Sequence, residues 1–145
     1  MRRLGKMPGW QKAFVIIGML SCSITGSLYL LGHQWQIERA LLANHTILAT
    51  HGLTAILATL ALGSALPFHL KVGYQSGRKW LSGFTQLGFM SILLITGGLL
   101  YYGPVEIRDS VIDIHWSVGL AFFATFIFHG IIKWGFPKSQ KSTVK

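Results

Sequence analysis

Four long stretches without a charged residue constrain this chain more than any other feature of its sequence. An α-helix rises about 1.5 Å per residue, so about 20 apolar residues cross the hydrocarbon core of a bilayer. The stretches that lack Asp, Glu, Lys and Arg are residues 13–37, 40–70, 80–105 and 114–132. All four meet or nearly meet the required length, which predicts an all-α membrane protein with four transmembrane helices. The predicted helices cover residues 12–33, 41–69, 79–102 and 112–134.

The connections between these helices are short, which favours a simple arrangement. Short loops make sequential helices antiparallel neighbours, so we predict an up-down-up-down bundle. The predicted helices leave no room within residues 1–145 for a soluble domain or a long linker, so we predict one transmembrane domain. Whatever this chain does is therefore done in the membrane or at its surfaces.

The charged residues are divided unequally between the two predicted sides of the membrane. Eleven of the thirteen basic residues fall before the first helix, between the second and third, or after the fourth. The opposite side carries Arg39, Arg108 and all four acids, which are Glu38, Glu106, Asp109 and Asp113. This positive-inside pattern predicts a multi-pass protein of a bacterial-type inner membrane with both termini cytoplasmic. The net charge of +9 is thus a topological signal and a contact with lipid headgroups, and predicts no binding to nucleic acid.

Histidines inside the spans are the strongest functional signal, because an ionisable residue in a membrane is costly and usually functional. His115 and His129 are fourteen residues apart in the fourth predicted helix. That spacing is about 21 Å along a helix and within about 40° of one face. The two side chains cannot share one metal. They are suited to two separate centres stacked across the membrane.

The second helix offers a partner for each of them. His51 and His69 are eighteen residues apart, five full turns, and share a face. We predict that His51 pairs with His115 and His69 with His129. The second spacing is longer by about 6 Å, which helix tilt and the distortion expected at Pro67 can absorb. His45 is the alternative ligand for the outer site, although it lies about 240° around the helix from His51.

Haem b fits two imidazoles that face each other from different helices. Its iron takes two axial ligands, and its apolar macrocycle suits the interior of a bundle. With both positions filled by His, the iron has no open site for oxygen chemistry, so electron transfer is the natural role. The charge-free stretches contain no acid, which disfavours zinc, di-iron and proton-relay sites. The single cysteine, Cys22, excludes the C-x-x-C-H attachment of a covalent haem.

The segment "IHWSVGLAFFATFIFHGIIKW" at 114–134 resembles the fourth helix of prokaryotic di-haem cytochrome b subunits. That superfamily includes the gamma subunit of respiratory formate dehydrogenase and the cytochrome b subunit of nickel-iron hydrogenase. The resemblance implies that His115 and His129 ligate haem, and "NHTILATHGL" matches the family's second helix through His45 or His51. It also implies a quinone as one redox partner and a partner redox subunit as the other. Such a chain is an electron-transfer subunit of an oxidoreductase complex and not an autonomous enzyme.

The chain departs from formate dehydrogenase gamma in one respect. The first helix of that subunit carries an inner haem ligand near its start, whereas "PGWQKAFVIIGML" contains no histidine. The inner ligand is then His69, or another residue such as Met19, or the inner haem is absent. Two other functions stay open: a structural or assembly subunit with one haem or none, and a pigment-binding membrane subunit.

A short internal similarity links the first and third helices. "ITGSLYLLG" at 24–32 and "ITGGLLYYG" at 95–103 agree at five of nine positions, and each precedes a polar loop and a helix with histidine. The similarity indicates either a duplicated helix pair or simply two helices that end in the same way at the outer side of the membrane.

Overall fold

A computed structural model describes residues 7–34, 44–76 and 80–130 of the chain. Within these ranges the side chains at 33, 34, 44, 68–76, 80–82, 129 and 130 are not described. The described residues contain four long helices, named α1 to α4 in chain order, and no strand. Their bounds are α1 Gly9–Gln34, α2 Asn44–Ser76, α3 Trp80–Tyr102 and α4 Arg108–Gly130, with a short 3₁₀ turn Val105–Ile107 before α4.

Each long helix contains a segment long and apolar enough to cross a membrane. These segments are Gly9–Gly32, His45–Pro67, Gly83–Tyr102 and Val105–Phe128. For the described residues, the prediction of a helical protein with four apolar spans is therefore confirmed. Many large apolar side chains point away from the neighbouring helices, as contact with lipid requires, and examples are Leu53, Leu60, Ile95 and Phe128.

Gly103 and Pro104 end α3 and start the turn into α4. The Gly103 N–H donates to the Leu99 carbonyl oxygen at 2.8 Å. A Cβ at position 103 would overlap the same carbonyl, so only glycine fits there. Pro104 is extended and precedes the 3₁₀ turn. The fourth helix then begins at Arg108, earlier than the predicted residue 112, and Asp109 in its first turn favours that start through the helix dipole.

Pro67 does not end the second helix. Helix α2 continues through it to Ser76 instead of ending near residue 69. Proline removes one backbone donor, and neighbouring helices in membrane proteins commonly satisfy the carbonyls that are freed. The carbonyl that loses its donor to Pro67 is that of Gly63. The Gln11 side chain of α1, which is only 5% exposed, donates from Nε2 to the adjacent carbonyl oxygen, that of Ser64, at 2.6 Å. The polar side chain thus supports the turn of α2 that precedes the proline.

The bundle is built from two closely packed helix pairs, α1 with α2 and α3 with α4. In the first pair Gln11 contacts Ser64 and Thr25 contacts His51. The contacts therefore run in opposite order along the two helices. The contacts of the second pair also run in opposite directions along its two helices, because Gln86 contacts Thr125 and Thr96 contacts His115.

Small residues bring the first pair together. Gly18 lies so close to α2 that an added Cβ would be 3.4 Å from the Ala58 Cα atom. Ala58 is fully buried, and it forms the centre of the bundle with Met19, Met90 and Phe122. Lipid supplies no hydrophobic drive between helices, so close packing of this kind holds them together. The Met19 side chain is therefore part of the buried core between the helices.

Candidate functional site

The histidines lie in different environments. His51 and His115 lie in the interior of the bundle, each half-buried. His45 is exposed on the surface of α2. His69 belongs to α2 and His129 to α4, but their side chains, like that of His33, lie outside the described residues. The predicted inner pair therefore stays a prediction from the sequence.

His51 and His115 are brought together although they come from separate helix pairs. The centroids of their rings are 6.3 Å apart and their planes are inclined by 80°. Within the part of the chain that the structure describes, α2 and α4 make no close backbone contact with each other. The two helices thus occupy a diagonal of the bundle, and the imidazoles reach toward one another across the space between them.

The His51 ring is oriented by α1. Its Nδ1 atom lies 3.1 Å from the Cys22 carbonyl oxygen and 3.3 Å from the Thr25 hydroxyl oxygen. A carbonyl can only accept, so Nδ1 carries the hydrogen and donates it to Cys22. In a neutral imidazole the other nitrogen, Nε2, then holds a lone pair that can bind a metal.

The His115 ring is oriented by α3 in a similar way. Its Nδ1 atom lies 2.7 Å from the hydroxyl oxygen of Thr96, a residue that is 6% exposed. That hydroxyl has a single hydrogen and also lies 2.8 Å from the Ile92 carbonyl oxygen, which can only accept. Both contacts are satisfied when Thr96 donates to Ile92 and accepts from His115 Nδ1–H. His115 then has the same tautomer as His51, with a lone pair at Nε2.

A glycine lies beside each ring, but only one of the two is tightly fitted. A Cβ at Gly26 would lie 2.8 Å from the Cε1 atom of His51, closer than real side chains come. A Cβ at Gly97 would lie 3.6 Å from the Cε1 atom of His115, an ordinary contact. A Cβ at position 26 would therefore force the His51 ring to move, whereas a Cβ at position 97 would not displace His115.

The pair offers two ligands and no more. Among the described residues no group of three or more His, Cys, Asp and Glu side chains lies close enough to hold a metal ion. The Cys22 Sγ atom lies 3.9 Å from His51 Nδ1. In this tautomer Nδ1 carries the hydrogen, so the nitrogen beside the sulfur is not the one that can bind a metal. A cofactor held here must supply the remaining ligands of its own metal, as a macrocycle does.

Sequence reasoning identified both histidines but missed the groups that hold them. Thr25 and Thr96 stand inside the repeated Ile-Thr-Gly of α1 and α3, and Gly26 follows Thr25 directly. The repetition was a usable signal, since a polar residue and a glycine recur together at the same level of two helices. The Cys22 carbonyl has no sequence signal, because every residue has a backbone oxygen.

No family model matches the sequence, and no curated protein or solved structure matches it either.

Proposed function

We propose that this chain is a b-type cytochrome subunit with two haem groups, which carries electrons across a membrane. The proposal is supported most directly by the approach of His51 and His115 to a ring-centroid distance of 6.3 Å. These residues would be the axial ligands of the outer haem. His69 and His129 would be those of the inner haem.

The distance between the rings fits two ligands on opposite sides of one iron. A metal–imidazole bond is about 2 Å long and each ring centre lies about 1 Å beyond its nitrogen, so opposed ligands have centroids about 6 Å apart. The inclination of 80° between the planes is compatible with such a pair. Each ring can rotate about its own metal–nitrogen bond, so two opposed rings can have any angle between their planes.

The hydrogen bonds of the two rings also favour metal binding over a simple edge-to-face contact of aromatic groups. A metal-bound histidine normally donates its other N–H to a carbonyl or a polar side chain, which fixes its tautomer and raises its basicity. His51 donates to Cys22, and Thr96 is positioned to accept from His115. An edge-to-face contact would leave two Nε2 lone pairs without a donor among the described residues, at a cost in apolar surroundings.

The protein's contribution is to hold two neutral ligands in an apolar environment. A bound haem would supply a reversible one-electron change at its iron, with no coordination position open to oxygen. The apolar spans keep water away from the ligands, and Thr25 and Thr96 supply the polar contacts of the rings. Ligand basicity, burial and the polarity of these neighbours set the redox potential.

The inner centre rests on sequence spacing. If α2 and α4 run in the same direction with His51 opposite His115, the residue of α2 opposite His129 is Ala65, which is 3% exposed. His69 lies one turn further, about 6 Å along the helix. The inner pair therefore requires α2 to tilt or shift relative to α4 beyond Pro67.

The topology and partners complete the proposal. The bundle would be up-down-up-down in a bacterial-type inner membrane, with both termini on the cytoplasmic side where the basic residues lie. The electron partners would be a quinone and a redox subunit of a larger complex, as the resemblance to di-haem cytochrome b subunits implies.

The test is the haem content of the purified chain and of histidine variants. A pyridine haemochrome assay should give two b haems per chain. His51→Ala and His115→Ala should each remove the same haem, whereas His45→Ala, an exposed residue of α2, should remove none. His69→Ala should remove the other haem. A wild-type chain without haem, or a loss caused by His45→Ala and not by His51→Ala, overturns the proposal.

A further inference from the structure

The helix pairs α1–α2 and α3–α4 hold their histidines through equivalent contacts. Thr25 on α1 and Thr96 on α3 each contact the Nδ1 atom of a histidine on the following helix. Each threonine hydroxyl also lies within hydrogen-bond distance of the carbonyl oxygens three and four residues before it. The two threonines therefore share their backbone and histidine contacts, and Thr25 in addition lies 3.1 Å from the Thr54 hydroxyl oxygen.

The glycine after each threonine also faces the histidine of the following helix. Gly26 faces the Cε1 atom of His51, and Gly97 faces the Cε1 atom of His115. The interval along the sequence between the two glycines equals that between the two threonines, whereas the interval between the two histidines is shorter. The connection between α1 and α2 is four residues longer than that between α3 and α4, and α1 extends three residues further beyond its threonine than α3 does, which together give the seven-residue difference between the two intervals.

The buried core provides an independent check, because it plays no part in defining the threonine and glycine match. Its buried members are Met19, Ala58, Met90 and Phe122. The interval along the sequence from Met19 to Met90 equals that between the two threonines. The interval from Ala58 to Phe122 equals that between the two histidines. The core thus consists of two equivalent pairs with the same spacings as the threonines and the histidines.

We propose that Thr25–Gly26 and Thr96–Gly97 are two copies of one ligand-positioning element, in two helix pairs related by an approximate two-fold axis between the His51 and His115 rings. In each copy the threonine faces Nδ1 of the histidine and the glycine faces Cε1 of the same ring. Repeats related by an axis along the membrane normal are an established design in membrane proteins. This inference deepens the proposed function, on which its haem-binding part rests.

The two copies differ in how far the histidine Nδ1–H depends on the threonine hydroxyl as its acceptor. The Nδ1–H of His51 has the Cys22 carbonyl as an acceptor in addition to Thr25. The Nδ1–H of His115 has only the Thr96 hydroxyl among the described residues. Thr96 is therefore the determinant of the His115 tautomer. Loss of Thr25 leaves His51 with its carbonyl partner.

The tautomers can be measured without a cofactor. In the haem-free full-length chain with ¹⁵N-labelled histidine, NMR should show His51 and His115 protonated at Nδ1. Thr96→Val, which keeps the shape and removes the hydroxyl, should abolish that preference at His115, and Thr96→Ser should retain it. Thr25→Val should leave the His51 tautomer in place. Thr59→Val is the matched control, because within the described part of the chain the Thr59 hydroxyl bonds only the Ala55 carbonyl of its own helix.

The haem-loaded chain gives a second readout. Groups that accept a hydrogen bond from a metal ligand typically change metal affinity about 10- to 100-fold when they are removed. Thr96→Val should weaken haem binding by that factor and raise the midpoint potential, because a less basic imidazole stabilises oxidised iron less. An unchanged His115 tautomer in Thr96→Val, or an equal effect of Thr59→Val, overturns the inference. A wild-type chain that binds no haem overturns the proposed function instead. The tautomer measurement then still decides whether the threonines position the histidine rings.

Discussion

The substitution Gly26→Ala tests how closely α1 is fitted to the His51 ring. The new Cβ would lie 2.8 Å from His51 Cε1. Carbon atoms attract best at about 3.5–4.0 Å, so the ring must retreat by about 0.7 Å or more. That movement strains the hydrogen bond from Nδ1 to the Cys22 carbonyl, which is already 3.1 Å long.

The magnitude follows from three contributions. Overpacking a fitted site costs about 1–3 kcal/mol. The weakened hydrogen bond adds about 1 kcal/mol. The higher helix propensity of alanine returns about 1 kcal/mol. The net loss of about 1–3 kcal/mol is expected in the free energy of unfolding, and the displaced His51 ring should also bind haem at the outer site more weakly than in wild type.

Gly97→Ala is the matched control, because it makes the same chemical change at the equivalent position. Its Cβ would lie 3.6 Å from His115 Cε1, an ordinary contact. Haem affinity should stay within about twofold of wild type, and thermal stability should stay the same or rise by up to about 1 kcal/mol. The assay is titration of haemin into the purified haem-free protein in detergent, followed by thermal unfolding. Equal affinities for the two variants would refute the reasoning from the distance between Gly26 and His51.

Gly18→Leu and Gln11→Leu test the packing of α1 against α2, and Gly63→Leu is the control for the first. Gly18→Leu should destabilise the helix pair by about 2–3 kcal/mol, because a Cβ there already lies 3.4 Å from the Ala58 backbone, while Gly63→Leu, with nothing within 4 Å, should cost less than about 0.5 kcal/mol. Denaturation in detergent measures both, and similar losses would contradict the close approach at Gly18. Gln11→Leu should cost about 1 kcal/mol through the lost hydrogen bond to the Ser64 carbonyl, within the range measured for interhelical hydrogen bonds in membranes. A variant as stable as wild type would show that this bond does not support the turn before Pro67.

The helices could be predicted from the sequence because their cause is local. A charge-free run of about 20 residues is apolar wherever it occurs, and lipid requires its backbone to form its own hydrogen bonds. Helix ends were less predictable. The second helix runs beyond the expected end because Pro67 is tolerated, with Gln11 from another helix bonding the Ser64 carbonyl nearby.

The candidate site could be predicted only in part from the sequence. His51 and His115 stood out because histidine is rare in lipid, and helical periodicity placed His45 on a different face of the second helix from His51. Periodicity gives the direction of a side chain around its own helix. It does not give the distance to a side chain on another helix that is remote along the chain.

The sequence by itself determined four apolar spans, their charge asymmetry and the positions of the histidines along them, since each depends on residues within one segment. Only the tertiary structure decided that the His51 and His115 rings meet at 6.3 Å across a diagonal of the bundle. It also decided which groups hold them: the Cys22 carbonyl, the Thr96 hydroxyl and the space left by Gly26. Those contacts depend on the packing of helices against one another, which short-range sequence patterns do not encode.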